Sequence, residues 1–209
     1  SVVSKGQLQP AAGAACASAA NADQGGKRLW TRVIDLNNCI GGQSCTMAGK
    51  AESGASPGIF YTRVLVDDSS PSGKIFFLPA QCRHCGQPAC LPVCASGAIV
   101  KQADGIVVTD WDACGGDGAC VRACPHSARS VDAKRGNKAD SCDFCLDRIG
   151  KGRQPACVEA CSSGARVFGD ASSPSSQLGA YLDVIKIASA GSAASDDRVV
   201  YVPLRQGGK

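Results

Sequence analysis

Gln81-Cys82-Arg83-His84-Cys85-Gly86-Gln87-Pro88-Ala89-Cys90-Leu91-Pro92-Val93-Cys94 spaces four cysteines by x2, x4 and x3. Two further groups follow: Cys114-x5-Cys120-x3-Cys124-Pro125 and Cys142-x2-Cys145-x11-Cys157-x3-Cys161. A shorter one precedes it, Cys39-x5-Cys45. The last cysteine of each later group opens a similar tail: Cys94-Ala-Ser-Gly-Ala98, Cys124-Pro-His-Ser-Ala128 and Cys161-Ser-Ser-Gly-Ala165. One pattern that closes three cysteine groups in succession is internal repetition.

Three chemistries compete for these residues. Disulfides suit an even count, and the chain has 14 cysteines. They do not explain the x2 spacing, because neighbours bonded to each other form small strained rings. Zinc uses C-x2-C knuckles, four thiolates to a site. It leaves the extra x3 cysteine of each group without a purpose. Iron–sulfur clusters account for it: three cysteines close in sequence bind one cubane and the fourth ligates another cluster. Short spacings wrap backbone around a cluster, so amide N–H groups can face its sulfurs. Pro125 after Cys124 ends the turn and limits its conformations. Iron–sulfur ligation is therefore the preferred reading. A mildly basic chain, formally +4, suits such anionic groups.

Composition agrees with a small stapled fold. Hydrophobic residues make up 44% but aromatics only 5%, with a single methionine, so a large aromatic core is not expected. At 19% charged residues the chain is too poor in charge for a disordered polyelectrolyte. No run approaches 18 strongly apolar residues, which excludes a direct membrane span. The scattered net charge does not argue for nucleic acid.

In these motifs the chain resembles the four-cluster ferredoxin-like subunits of molybdopterin oxidoreductase complexes, of the dimethyl sulfoxide, polysulfide and tetrathionate reductase beta-subunit type. The resemblance covers nearly all of residues 30–170. Asp35-Leu36-Asn37-Asn38-Cys39-Ile40-Gly41 is similar to that family's first cluster loop, and Gln81 to Cys90 to its second. Asp110-Trp111-Asp112-Ala113-Cys114 leads into the third. Cys142-Asp143-Phe144-Cys145-Leu146-Asp147-Arg148 with Pro155-Ala156-Cys157-Val158-Glu159-Ala160-Cys161 is similar to the fourth. The resemblance implies crosswise pairing, the first group with the fourth and the second with the third. It then implies one complete site, Cys82, Cys85, Cys90 and Cys124. Three sites of three cysteines follow: Cys94, Cys114 and Cys120; Cys39, Cys45 and Cys161; Cys142, Cys145 and Cys157. It also implies electron relay between a molybdopterin-containing catalytic subunit and an integral-membrane quinone-reacting subunit, with no catalytic residues in this chain. Two other functions compete: a zinc-stabilised binding module, and a structural scaffold with largely empty sites. The substrate of such a complex stays open among sulfur compounds, arsenate, nitrogen oxides and formate.

Three positions depart from the pattern. Asp117 stands at the second position of the third group, Gly42 at the matching position of the first, and Gly49 where the first group's remote cysteine belongs. A carboxylate can ligate iron, so Asp117 is a candidate fourth ligand; the preferred reading leaves it in solvent beside a three-iron cluster. Gly42 implies a three-iron cluster or none. Gly49 implies a three-iron cluster, or a fourth iron held by a ligand such as water. His84 is expected as a hydrogen-bond donor or a partner-facing surface residue, and His126 as a cap on the turn after Cys124. Trp30 and Trp111 are expected to pack. Arg148, Lys151 and Arg153 are expected to solvate a loop, with a docking face as the alternative.

The expected fold is α+β: two ferredoxin-like units, one inserted in the other, with short hairpins and a C-terminal helix. Residues 23–78 plus 136–170 form the outer unit, 79–135 the inserted unit and 171–209 a C-terminal extension. Strands are expected at Arg28–Leu36, Ile59–Val66, Lys74–Leu78, Ile99–Gln102, Ile106–Thr109 and Val199–Val202. A hairpin turn is expected at Ala103-Asp104-Gly105. Short helices are expected near Gly118 and Ala156, and a longer one over Gln177–Ala190. Residues 1–22 form a signal-like or flexible Ala-rich arm ending Ala20-Asn21-Ala22 and holding the unassigned Cys16. They suggest the periplasmic or exported side of a membrane, with the cytoplasmic face as the alternative.

Overall fold

The computed structural model describes residues 28–68, 75–185 and 197–204. The arm at 1–22, Cys16, Lys74 and the end of the expected C-terminal helix beyond Ile185 lie outside them.

The described chain is α+β, built of short strands and short helices. Strand β1 (Trp30–Asp35) is the centre of a three-stranded sheet. It pairs antiparallel with β8 (Arg166–Asp170) and parallel with β9 (Val199–Val202). Its Val33 and Ile34 are fully buried, as β-branched residues at the heart of a sheet should be. Three hairpins hang from this sheet: β2 (Thr62–Asp67) with β3 (Phe76–Gln81), β4 (Ile99–Lys101) with β5 (Val107–Thr109), and β6 (Arg129–Asp132) with β7 (Lys138–Ser141). Gly105, at φ +91°, closes the β4–β5 turn, where a Cβ would be strained.

Helix α1 (Ser44–Ser53) was not anticipated, because its residues show no clear apolar periodicity. Gly54, in the left-handed region, ends it and returns its N–H to the Lys50 carbonyl at 3.1 Å. Helices α2 (Ala119–Ala123) and α4 (Ala156–Glu159) stand where expected, and a single turn, α3 (Leu146–Ile149), follows Cys145. The β6–β7 hairpin was missed. Its sequence is charged, and its turn is a 3-10 helix (Ala133–Arg135) capped by the Asp132 carboxylate. Helix α5 (Gln177–Ile185) lies on β8 with Leu178 fully buried. Gly169 makes that approach possible: a Cβ there would stand 2.9 Å from the Leu178 Cβ.

Candidate iron–sulfur sites

Four loops share one backbone shape. In Cys39-Ile40-Gly41, Cys82-Arg83-His84, Cys114-Gly115-Gly116 and Cys142-Asp143-Phe144, the residue two after the cysteine is left-handed, with φ +72°, +47°, +76° and +62°. Glycine adopts this freely. His84 and Phe144 do so at about 1–3 kcal/mol each, so packing must hold them. Both are fully buried, and their rings lie 4.0 Å apart between centroids. A left-handed residue in such a turn helps aim successive N–H groups at one concavity, an anion-binding arrangement used at iron–sulfur sites; in the fourth loop Cys145 is left-handed as well, at φ +57°. The Cys82 sulfur accepts the His84 N–H, and the Cys142 sulfur accepts the Phe144 N–H.

The three tails are equally alike. Gly97, Ser127 and Gly164 are left-handed and return their N–H groups to the carbonyls of Cys94, Cys124 and Cys161 at 3.0, 3.2 and 3.2 Å. Ala98, Ala128 and Ala165 follow, each buried, and each hands over to a strand. The Ala128 N–H reaches Cys124 Sγ at 3.4 Å. The Ser96 and Ser163 hydroxyls lie 3.6 Å from the sulfurs of Cys94 and Cys161. Burial opposes ionisation of Cys94, but the Ser96 hydroxyl and the N–H groups of Ile99, Ala98 and Ser96 hold its thiol below the ordinary value.

None of the 13 described cysteines is disulfide-bonded. Cys85 and Cys90 each lie close enough to Cys124, and to one another, for the charges to interact. Cys142, Cys145 and Cys157 form a second such neighbourhood. Cys94, Cys114 and Cys120 line one cavity of about 100 Å³ together with Asp117. Asp117 is exposed, and its Oδ1 accepts the Ala119 N–H at 3.0 Å, so the carboxylate shapes the start of α2 as well as the cavity wall. Cys45 and Cys157 are buried in one apolar cluster with Cys39 at its edge, where α1 packs on α4. Cys161 lies just past the Ala160 cap of α4, half-buried. Cys82 lies beside Cys142, a member of a different expected set. Cys124 extends the chain out of α2 rather than continuing the helix, with φ −76° and ψ 111°.

Gly42 and Gly49 could each carry a side chain. A Cβ at Gly42 would meet only Ile40 at 3.8 Å, and one at Gly49 only Thr62 at 3.6 Å, both ordinary contacts.

Three buried arginines surround the sulfurs. Arg32, on β1, is fully buried; its Nη1 donates to Cys142 Sγ at 3.8 Å, and among the described residues Nε and Nη2 have no partner. Its guanidinium lies 4.6 Å from the Phe144 ring centroid and 5.8 Å from that of Phe168. Arg166 divides Nη1 between Gln81 Oε1 at 2.5 Å and Cys157 Sγ at 4.0 Å, and among the described residues its Nη2 has no partner. Arg129 donates to Ser141 Oγ at 3.3 Å and to Thr109 Oγ1, and it neighbours Cys90, Cys120 and Cys82. Among the described residues no carboxylate forms an ion pair with any of the three. Removing a guanidinium from water costs several kcal/mol, of which a desolvated ring face returns about 2 kcal/mol or more. An anionic group at the sulfurs would supply further compensation.

Burial pushes the Cys82 and Cys145 thiols up to about 12 and Cys85 up to about 11. The thiols alone therefore keep their protons at neutral pH, and a metal must displace them. Soft thiolate donors, inward N–H groups and orphaned guanidinium N–H groups together fit an iron–sulfur cluster.

His84 departs from expectation. It is not exposed, and it donates through its backbone N–H to Cys82 Sγ rather than through its ring: Nδ1 accepts the Val107 N–H at 3.0 Å, and burial pushes the ring pKa down to about 3, so the ring is neutral. His126 is half-buried, and its ring nitrogen lies within 4.8 Å of Cys85 Sγ and an Asp197 carboxylate oxygen. Trp30 stacks on Phe168 at 5.3 Å, and Trp111 lies under Arg135 at 4.8 Å, so both pack. Arg148 is structural: it pairs with Glu52 at 3.1 Å and with Glu159. The buried arginines were missed. Arg129 and Arg166 each follow the tail alanine, a repeat that could have flagged them; Arg32 carries no such signal.

The model of the 4Fe-4S dicluster domain family matches residues 73–171. The B subunit of tetrathionate reductase from Salmonella typhimurium is 39% identical over 169 residues, covering 77% of this chain and 67% of that protein. The B subunit of sulfite dehydrogenase from Allochromatium vinosum is 35% identical, over 70% of each protein. The B chain of anaerobic dimethyl sulfoxide reductase from Escherichia coli is 36% identical, over 65% of this chain and 71% of that one.

Proposed function

The protein belongs to the family of iron–sulfur B subunits of tetrathionate, dimethyl sulfoxide, sulfite and selenate oxidoreductases, and from that membership we propose that it relays single electrons between a molybdopterin-containing catalytic subunit and an integral-membrane quinone-reacting subunit. It is an electron-transfer subunit and not the catalytic one. The observation that carries cluster binding is the left-handed residue repeated at 41, 84, 116 and 144, which persists in the two loops whose second cysteine is lost.

We assign the clusters crosswise. Cys82, Cys85, Cys90 and Cys124 would hold a [4Fe-4S] cluster. Cys94, Cys114 and Cys120, beside the exposed and already bonded Asp117, would hold a three-iron cluster. Cys39, Cys45 and Cys161, and Cys142, Cys145 and Cys157, would hold the other two. The packing of α1 on α4 supports joining the first group to the fourth, and the shared cavity supports joining the second to the third. Bound clusters supply one-electron carriage. The protein supplies thiolates, N–H donors to sulfur, and buried cations that offset charge. Among the described residues no helix is long and apolar enough to cross a membrane, so the membrane contact is assigned to a partner. We assign the complex to the periplasmic or exported side on the strength of the Ala-rich arm.

Iron, acid-labile sulfide and EPR on anaerobic full-length protein test this. Abundant iron and sulfide with a three-iron signal in the oxidised sample is expected. Zinc alone, or almost no metal, would sink the relay and leave a binding module or a scaffold.

A further inference from the structure

We propose that Arg32 is a positioning residue that sets the redox behaviour of the fourth-group site: its buried guanidinium, donating to Cys142 Sγ at 3.8 Å, makes a cluster held by Cys142, Cys145 and Cys157 easier to reduce. This rests on the cluster reading above. Reduction adds one electron to an already anionic core while no bond to the protein forms or breaks. The guanidinium is always protonated, so no proton accompanies the step through Arg32. A fixed cation at this position stabilises the more negative, reduced form more than the oxidised one.

Arg32 differs from its two neighbours. Arg166 gives a short hydrogen bond to Gln81, and Arg129 is shared between Ser141 and Thr109. Among the described residues, Arg32 donates to a sulfur and lies over two aromatic faces, and two of its nitrogens have no partner. It also neighbours Cys145 and Cys157, so its charge reaches all three sulfurs. Of the two features of this site, the cation is the one that eases reduction. Gly49 withholds a thiolate, which leaves three sulfurs within reach of the one guanidinium, and Arg32 adds a cation, so the electron meets less negative charge than it would without the guanidinium. The fold prepares this placement. Val33 and Ile34, the next two residues of β1, are buried in its core; Arg32 pairs with Phe168 across the sheet; and Phe144 is pinned by its left-handed turn.

The test is a redox titration followed by EPR on the full chain, together with iron and sulfide content. The signal followed is the one that Cys145→Ala removes. In Arg32→Gln the reduced-to-oxidised ratio at a fixed potential should fall at least tenfold, which for a one-electron couple is about 59 mV. The other signals should stay put. Arg32→Lys, measured at about pH 6 so that a buried ammonium keeps its proton, should recover at least half of the shift. Arg28→Gln removes an exposed charge from the same end of the chain and should change nothing. A ratio in Arg32→Gln within twofold of the parent, or Arg32→Lys behaving like Arg32→Gln, overturns the proposal. Should Arg32→Gln lose the signal altogether, its retention in Arg32→Lys supports the charge role and its loss from both overturns it. A parent protein without iron and sulfide overturns the cluster reading and this proposal together; a loaded protein whose potential ignores Arg32 overturns this proposal alone.

Discussion

Position 49 lacks a thiolate, not the room for one. A Cβ there would sit 3.6 Å from Thr62, and Gly49 lies within α1, which packs on the helix bearing Cys157. Gly49→Cys should therefore supply a fourth thiolate, adding about one iron atom per chain and removing one oxidised three-iron EPR signal. Unchanged iron and an unchanged signal would show that the side chain does not reach that site. The left-handed residues work at the same scale. Glycine at 41 and 116 costs nothing there, whereas His84 and Phe144 are kept in strained backbone by mutual ring packing in a buried cluster. The cysteine spacing was readable from sequence. The strain was not, because it depends on what surrounds the rings.

Strands and helices here mostly deliver cysteines to loop ends. Cys82 follows β3 and Cys142 follows β7 directly, while Asp35 at the end of β1 and Asp110 just after β5 carry carboxylates that accept N–H groups of the next turn at 2.8 and 2.9 Å. Asp132 ties elements together. Its side chain accepts the Ser56 N–H at 3.0 Å and the Lys134 N–H at 3.1 Å, with Arg135 at 3.7 Å. Burial resists its ionisation, yet the hydrogen bonds from Ser56 and Lys134 and the charge of Arg135 hold its pKa below the usual range. A depressed folded value means that the native state takes up fewer protons than the unfolded one. The stabilisation is therefore complete above the unfolded value of about 4 and is lost as pH falls through the folded one. Asp132→Asn should lower stability by about 2 kcal/mol at neutral pH, and the gap from the parent should close below about pH 4. Denaturant unfolding across that range checks it; a constant gap would remove the charge from the account. Gly169→Ala probes the seat of α5 on β8. The added methyl would stand 2.9 Å from Leu178 and should cost about 1–3 kcal/mol through overpacking, read as earlier proteolysis of the C-terminal segment. The β6–β7 hairpin escaped the sequence because charged strands closed by a 3-10 turn lack period-two alternation.

At the scale of the molecule, cysteine is part of the core. Three of the four buried apolar clusters contain cysteine side chains: Cys82 and Cys142 in one, Cys90 and Cys120 in another, Cys45 and Cys157 in a third. Only the cluster under α5, around Val33, Val167, Leu178 and Val202, is free of them among the described residues. Stripping the iron should therefore abolish cooperative unfolding and near-UV circular dichroism, because ligand binding and folding share one free energy. A metal-free protein that kept both would show a self-sufficient core. Sequence sufficed for the chemistry and the family, since thiolate spacing and the repeated tails are local patterns along it. It also sufficed for the strands rich in β-branched residues and the position of α5. The tertiary structure alone reveals the neutral His84, the left-handed Phe144 and the buried Arg32 beside Cys142. Each depends on burial and on contacts between residues far apart in sequence, and a linear pattern records neither.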